Sequence, residues 1–444
     1  MLNKYLFITS HNLFYSNFYK DYKFLKKNPS KKYDELLNEQ NKSLRGMIKY
    51  SYTYVPFYNK LFKKLKLEPT DIKEVSDLEK LPVLNKEIIH DNWNDFIPLD
   101  LKKYKYYINS TGGTTGVPLK YRLSKNDRFY GGAMLYRGWG YGGYELGDKM
   151  VFLAGQSLDV GTQSTLSKKT HEICRNLKKL SSFDMGSEDM LNYVNIINAF
   201  KPKYVRGYPS SLFFLSNWIK NNDIKIAQLR GIFTTSEKLF PNMREIIEET
   251  FGCEVYDNYG LNDGGVSAYE CSSHMGLHID MERSVMEIVD DNNSQIMSGE
   301  GRILSTSLLN YSMPFIRYES GDIGHLITDT CTCGNNFKLL KEIKGRTVDL
   351  LITPEGKTVH GWFFLYIFWK YCQGIVEYQV VQDKIDSIVI KLVINDGFDP
   401  KQLDLITDII RSKSNGWNVE FRYVDKIEKT KSGKHKFIIN NLNR

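Results

Sequence analysis

Between Ser110 and Gly116 the chain reads STGGTTG, three glycines and four hydroxyl side chains with no charge before Lys120. Glycine lets the backbone approach a ligand that a Cβ would hold off, and each Ser or Thr adds a hydroxyl donor. Such a loop can wrap oxygen atoms in N–H and O–H groups, which is what a polyphosphate requires. The G-x-x-x-x-G-K-[ST] spacing of a P-loop is absent, and a Gly/Thr segment standing alone is as readily a surface turn. A second chemistry is suggested by YECSSHMGLH and CTCG. Cys271, His278, Cys331 and Cys333 make a Cys₃His set suited to tetrahedral zinc, with His274 as the alternative imidazole. With no ligand position open, that zinc is structural and ties two strand-rich segments together; the competing reading is two unrelated pairs of reduced thiols.

These residues need elements to hold them. Residues 1–100 alternate Lys-rich helical patterns with aromatic pairs, which predicts a helical N-terminal part. After the glycine loop, NDRFYGGAMLYRGWGYGG can begin a helix and KMVFLAG is a short apolar strand. The stretch from SEDMLNYVNIINAF to CEVYDNYG then reads helix, strand, turn, helix, strand, loop, helix, strand. That alternation implies βαβ units and a largely parallel sheet covered by helices. Beyond about residue 265 the pattern changes to strands in HIDMERSVMEIVD, GRILSTSLL and GDIGHLITD. The final stretch gives two strands, a helix and a strand, a small α+β domain joined near KGRTVDLL. The expected fold is α/β, with a large domain over 1–346 and a small C-terminal domain over 347–444.

With 444 residues and 41% hydrophobic content the chain can bury a sizeable core. Its net charge of +8 is modest, with acids interleaved among the bases except in the first hundred residues and the C-terminal tail. No apolar run of about 18 residues occurs, so a transmembrane span is not expected. The first residues lack a clean apolar segment followed by a small-residue cleavage site. A cytoplasmic location follows as the expectation, and six cysteines in so long a chain are too few for a disulfide framework.

The glycine loop, DNYGLNDGG, MPFIRYESGDIG, IKGRTVDLLIT and KTKSGKHKF occur in this order. Together they resemble the adenylate-forming enzymes, in particular the branch of phenylacetate–CoA ligases and CapK-like capsular polysaccharide proteins. The resemblance covers 110–436, and YVPFYNKLF followed by VSDLEKLPVLNKE extends it toward the N-terminus. It implies that a carboxylate attacks the α-phosphate of ATP, giving an acyl-adenylate and pyrophosphate. Ser110, Thr111, Gly112, Gly113, Thr114, Thr115 and Gly116 would hold the ATP phosphates. Tyr259 would lie along adenine, with Asn258 near its polar edge and Gly260 beside it, and Glu237 would sit in the loop on the other face. By itself Glu237 reads as a charge at a helix N-terminus. Asp322 would accept from the ribose hydroxyls, and Arg346 would stand near ribose and phosphate at the domain junction. Asp263 occupies the position where the family usually has a magnesium-binding Glu, one methylene longer. The family's Gly-Arg-x-Asp-Asp has Val348 at its first Asp here, which leaves Asp349 as the hinge. Lys434 would bridge the substrate carboxylate and the α-phosphate, although Lys429, Lys431, Lys434 and Lys436 alone read as a solvated basic tail.

Arg206 and Tyr208, in VRGYPSS, match segments that line the acyl pocket in related enzymes. Arg206 would meet a second anionic group, or else cap a helix or edge the core. The partners implied are a small-molecule carboxylate and an acceptor, either CoA or an amine, with a surface-polysaccharide role suggested by the CapK likeness. The cofactors are ATP, magnesium and structural zinc. Rival readings are transfer of AMP to a hydroxyl and a catalytically silent nucleotide-binding scaffold. Nucleic acid is not an expected partner.

Overall fold

The alternation over 150–256 does fold as a parallel sheet. In the computed structural model its strands run in the order Leu177–Ser181, Met150–Ala154, Tyr204–Gly207, Gly231–Thr234 and Val255–Tyr256, and the first four are in parallel register. The structure describes residues 2–110, 119–155, 165–183, 185–346, 350–360, 362–371, 373–430 and 434–442. Two units divide it: 1–149 with 169–176 and 256–344, and 150–168 with 177–255 and 345–444.

In the second unit the helices Ser187–Phe200, Pro209–Asn221 and Pro241–Phe251 join these strands. Proline opens two of them, where the missing N–H costs nothing and φ is already helical. Gly252 ends the third at φ +61° in the left-handed region, a conformation glycine adopts without a steric penalty. The chain rejoins this unit at Gly345 and builds a four-stranded sheet in the order Asn418–Tyr423, Ser387–Ile394, Ile375–Lys384 and Ile438–Asn440. Trp362–Tyr371 and Gln402–Arg411 are its helices. One hydrophobic core runs through both parts: Val151, Val205 and Leu215 belong to the same cluster as Phe364, Ile390 and Ile406. Burying each such side chain is worth roughly 1.5–3 kcal/mol, so the C-terminal region and 150–255 stabilise each other.

The first unit contains the expected N-terminal helices, the longest being Tyr33–Tyr54. Its seven-stranded, mainly antiparallel sheet has the order Ser284–Val289, Gly299–Ser307, Tyr318–Ile327, Leu339–Arg346, Leu277–Ile279, Ser267–Glu270 and Asn258–Gly260. In Tyr318–Ile327 burial alternates residue by residue, so Tyr318, Ser320 and Asp322 share the buried face. A hairpin of Tyr106–Ser110 and Lys120–Ser124 brackets the glycine loop. Buried ion pairs anchor the helix Lys125–Gly140 to the strand-rich part. Arg137 meets Asp280 and Glu282, and Arg283 meets Asp127 at 2.7 Å. Losing one partner of such a pair strands a buried charge at a cost of about 3–5 kcal/mol.

Candidate active site

Within the first unit the nucleotide-site candidates fall on strands of the antiparallel region and the loops beside them. The Tyr259 hydroxyl donates to Asp322 Oδ2 at 2.8 Å, so the carboxylate expected to take ribose hydroxyls also fixes the tyrosine ring. A carboxylate has about four lone-pair positions, enough for both tasks. Asn258 is buried and committed: Trp139 Nε1 donates to its side-chain oxygen at 3.0 Å, and its amide nitrogen donates to the Asp257 carbonyl at 2.8 Å. Asp263 is also buried, with Oδ2 accepting from the Tyr318 hydroxyl at 3.0 Å. The next residue has to be small, because a Cβ on Gly264 would collide with the Ser305 side chain. Gly260 ends its strand, and Ser110 ends the hairpin strand leading into the loop. Thr111, Gly112, Gly113, Thr114, Thr115 and Gly116 lie outside the described residues, as do Asp349 and the side chain of Arg346.

In the second unit four candidates meet around the start of one helix. Tyr208 is fully buried and immediately precedes the helix Pro209–Asn221. Its approach requires glycine at 207, where a Cβ would stand 2.8 Å from the Leu153 carbonyl oxygen. Glu237 reaches across from its loop, and the Ser210 N–H donates to Glu237 Oε2 at 3.0 Å. The carboxylate thus takes one of the donors that a helix N-terminus leaves over, in the favourable field of the helix dipole. Burial raises its pKa, while Ser210 and then Lys434 pull it back. Lys434 Nζ stands 6.0 Å from the centre of the Tyr208 ring. Arg206 is buried on the preceding strand, its guanidinium 5.6 Å from the Phe152 ring centre.

Sequence reasoning singled out Lys434 but not the groups that position it. The Thr430 N–H donates to the Lys434 carbonyl at 2.9 Å, and the Lys434 N–H donates to Thr430 Oγ1 at 3.0 Å, so the two residues hold each other. His435 Nε2 donates to the Tyr378 carbonyl at 2.9 Å, and its ring packs on Phe437 and edge-on to Phe214. Burial pushes the His435 imidazole down to about 4. The signal available in the sequence was adjacency alone, since His435 reads as one more polar residue of SGKHK.

The four metal-site candidates come together. The ligand atoms of Cys271, His278, Cys331 and Cys333 all lie within 4.8 Å of one another. Cys271 Sγ to Cys331 Sγ is 3.5 Å, and Cys333 Sγ to His278 Nε2 is 3.4 Å. Tetrahedral ligands at zinc–sulfur bond length stand about 3.8 Å apart, so the donor set fits that ion in kind and in spacing. Burial holds the His278 imidazole down at about 4, the neutral form a metal needs. His274 is employed elsewhere: its Nδ1 lies 2.9 Å from Glu270 Oε1 and its ring stacks on Tyr256.

Residues 351–441 match the family model of the CapK C-terminal domain. Protein CapK of Staphylococcus aureus is 26% identical over 414 residues, which span 92% of this chain and 90% of that protein. Phenylacetate-coenzyme A ligase of Thermus thermophilus is 23% identical over 384 residues, 81% of either chain. Among solved structures, 2-hydroxyisobutyryl-CoA ligase in its postadenylation state with 2-HIB-AMP superposes with a TM-score of 0.74 at 18% identity, covering 94% of this chain and 91% of that one. The same fold recurs in an anthranilate CoA ligase with anthranoyl-AMP, at a TM-score of 0.52 and 18% identity over 74% of this chain and 65% of that one. Relatives of one kind thus span most of its length, and the chain is similar throughout to the branch of phenylacetate–CoA ligases and CapK-like proteins, which supports an adenylate-forming ligase.

Proposed function

We propose that this protein activates a carboxylic acid with ATP, releasing pyrophosphate and holding the acyl-adenylate, and then passes the acyl group to CoA or to an amine. The observation that carries the proposal is the placement of Lys434 beside Tyr208 and Glu237, with its backbone held by Thr430 and its neighbour His435 anchored on Tyr378. A lysine whose backbone is fixed by its neighbours can offer charge where a new bond to phosphorus forms, and a preset charge needs little reorganisation at the moment of reaction. Tyr259, steadied by Asp322, would stack on adenine, and Asp322 would take ribose hydroxyls. The glycine loop would donate to the phosphates and Arg346 would add positive charge near ribose and phosphate.

Asp263 would hold magnesium as a hard oxygen ligand, and the ion supplies charge neutralisation at the phosphates. Zinc on Cys271, His278, Cys331 and Cys333 would be structural. Arg206 and Tyr208 would bound the acyl site, and Asp349 would serve as the hinge of the C-terminal domain. Likeness to CapK points to surface polysaccharide assembly as the setting, with a sugar acid as the carboxylate or an amino group as the acceptor. The test is pyrophosphate release from ATP across a panel of sugar acids and aryl acids. Release that depends on one acid class is expected; release that no acid stimulates, from protein shown to bind ATP, would leave the silent scaffold in its place.

A further inference from the structure

Packing accounts for one side of the first helix and leaves the other unexplained. Leu2–Phe14 buries Phe7, Ser10 and His11, whose spacing puts them on one side. Turned away from that side are Leu2, Tyr5, Leu6 and Leu13, which are 80%, 66%, 39% and 81% exposed. Phe14 and Phe24 are exposed as well. Single apolar residues on a surface are ordinary, but a stripe this dense along one short helix marks an interaction surface.

Charge identifies the occupant. Residues 1–32 contain seven lysines against one aspartate, and Lys20, Lys23, Lys26 and Lys27 are exposed. A second copy of the chain would bring two positive surfaces together, which opposes self-association. An anionic lipid surface answers both features and demands no matching shape: leucines enter the acyl boundary, aromatic rings settle at headgroup depth, and lysines are drawn to lipid phosphates. Among the described residues no helix is long and apolar enough to cross a membrane, and a 13-residue helix spans about 20 Å against a hydrocarbon core of about 30 Å. The helix therefore lies on the bilayer. We propose that residues 2–32 dock the protein on anionic membrane surfaces, with Leu2, Leu6 and Leu13 as the inserted stripe and the lysines of the following helix and turn as its electrostatic partner.

Sedimentation of the full chain with vesicles tests this. Wild type is expected to pellet with vesicles of phosphatidylcholine containing a third phosphatidylglycerol, to bind pure phosphatidylcholine at least tenfold more weakly, and to be released by raised salt. The double substitution Leu6→Asp with Leu13→Asp changes exposed residues, and its melting temperature should match wild type while binding falls at least tenfold. Replacing Lys20, Lys23, Lys26 and Lys27 by Gln should remove the preference for phosphatidylglycerol. Wild type that stays in the supernatant with anionic vesicles overturns the proposal, as does unchanged binding by the aspartate variant. A wild-type dimer in light scattering that the aspartate pair converts to monomer also overturns it, by showing that a second copy covers the stripe.

Discussion

At the scale of single residues, Lys434 and Asp263 make opposite demands on chemistry and give separable outcomes. Lys434→Ala should cut acyl-adenylate formation by at least about a hundredfold, a loss in line with removing one preset charge from a reacting oxygen. ATP binding and melting temperature should stay near wild type, because the Thr430 bonds to the Lys434 backbone and the His435 contacts do not depend on the lysine side chain. Acid-dependent pyrophosphate release checks this, and unchanged release in the variant rejects the role. Asp263 carries a shorter side chain than the Glu that the resemblance leads one to expect, and it is buried against the Tyr318 hydroxyl. Asp263→Ala should therefore raise the magnesium concentration needed for single-turnover pyrophosphate release. Asp263→Glu should bind magnesium yet displace it by about a methylene, enough to lower the rate. Wild-type behaviour of both variants across a magnesium titration would remove the ligand assignment.

At the scale of elements, the thiol–imidazole cluster joins connections of neighbouring strands. Cys271 follows Ser267–Glu270, His278 lies in Leu277–Ile279, and Cys331 and Cys333 precede Leu339–Arg346; these three strands are consecutive in the sheet. Purified protein should hold one zinc by elemental analysis, and Cys331→Ser with Cys333→Ser should lose it together with several degrees of melting temperature. Zinc-free wild type would dispose of the idea. The pairing of Cys271 with Cys331 and Cys333 was legible because thiol spacing restricts the chemistry, whereas the choice of His278 over His274 was not. Both histidines satisfy the spacing, and only the strand position of His278 and the Glu270 contact of His274 decide. The strand Met150–Ala154 was legible as a short apolar run, and helices such as Gln402–Arg411 from periodicity. Trp362–Tyr371, reading WFFLYIFWKY, was not, because a helix without a polar stripe shows no period. Nor does a sequence say which apolar face meets which. The core shared by 150–255 and the C-terminal region appears only when Val205 and Phe364 are found in one cluster. Glu237 likewise accepts from Ser210, 27 residues earlier in the first turn of a helix, a relation that no local pattern encodes.

At the scale of the whole molecule, acid should destabilise both units by the same physical route. His11 is buried in the first unit, with Nδ1 donating to the Phe7 carbonyl at 2.8 Å, and burial followed by the Arg175 charge lowers its pKa to about 2. His435 is buried in the second unit, and burial lowers its pKa to about 4. Both folded values lie below the ordinary 6.5, so protons bind the unfolded chain first. Stability is full above about pH 6.5 and declines as the pH falls below it; for His435 the decline levels off near pH 4 and for His11 it continues further. At pH 5 each histidine should cost about 2 kcal/mol, enough to lower melting temperatures by several degrees. His435→Leu keeps the ring's place apolar and removes the titrating group, so its melting temperature should depend less steeply on pH between 7 and 5, even if the lost Tyr378 contact lowers it at pH 7. His11→Leu should flatten the same interval independently, since the two rings belong to different units. Melting curves from pH 7.5 to 5 on wild type, each variant and the pair decide the matter. A pH slope that survives in the double variant would assign acid lability to other groups.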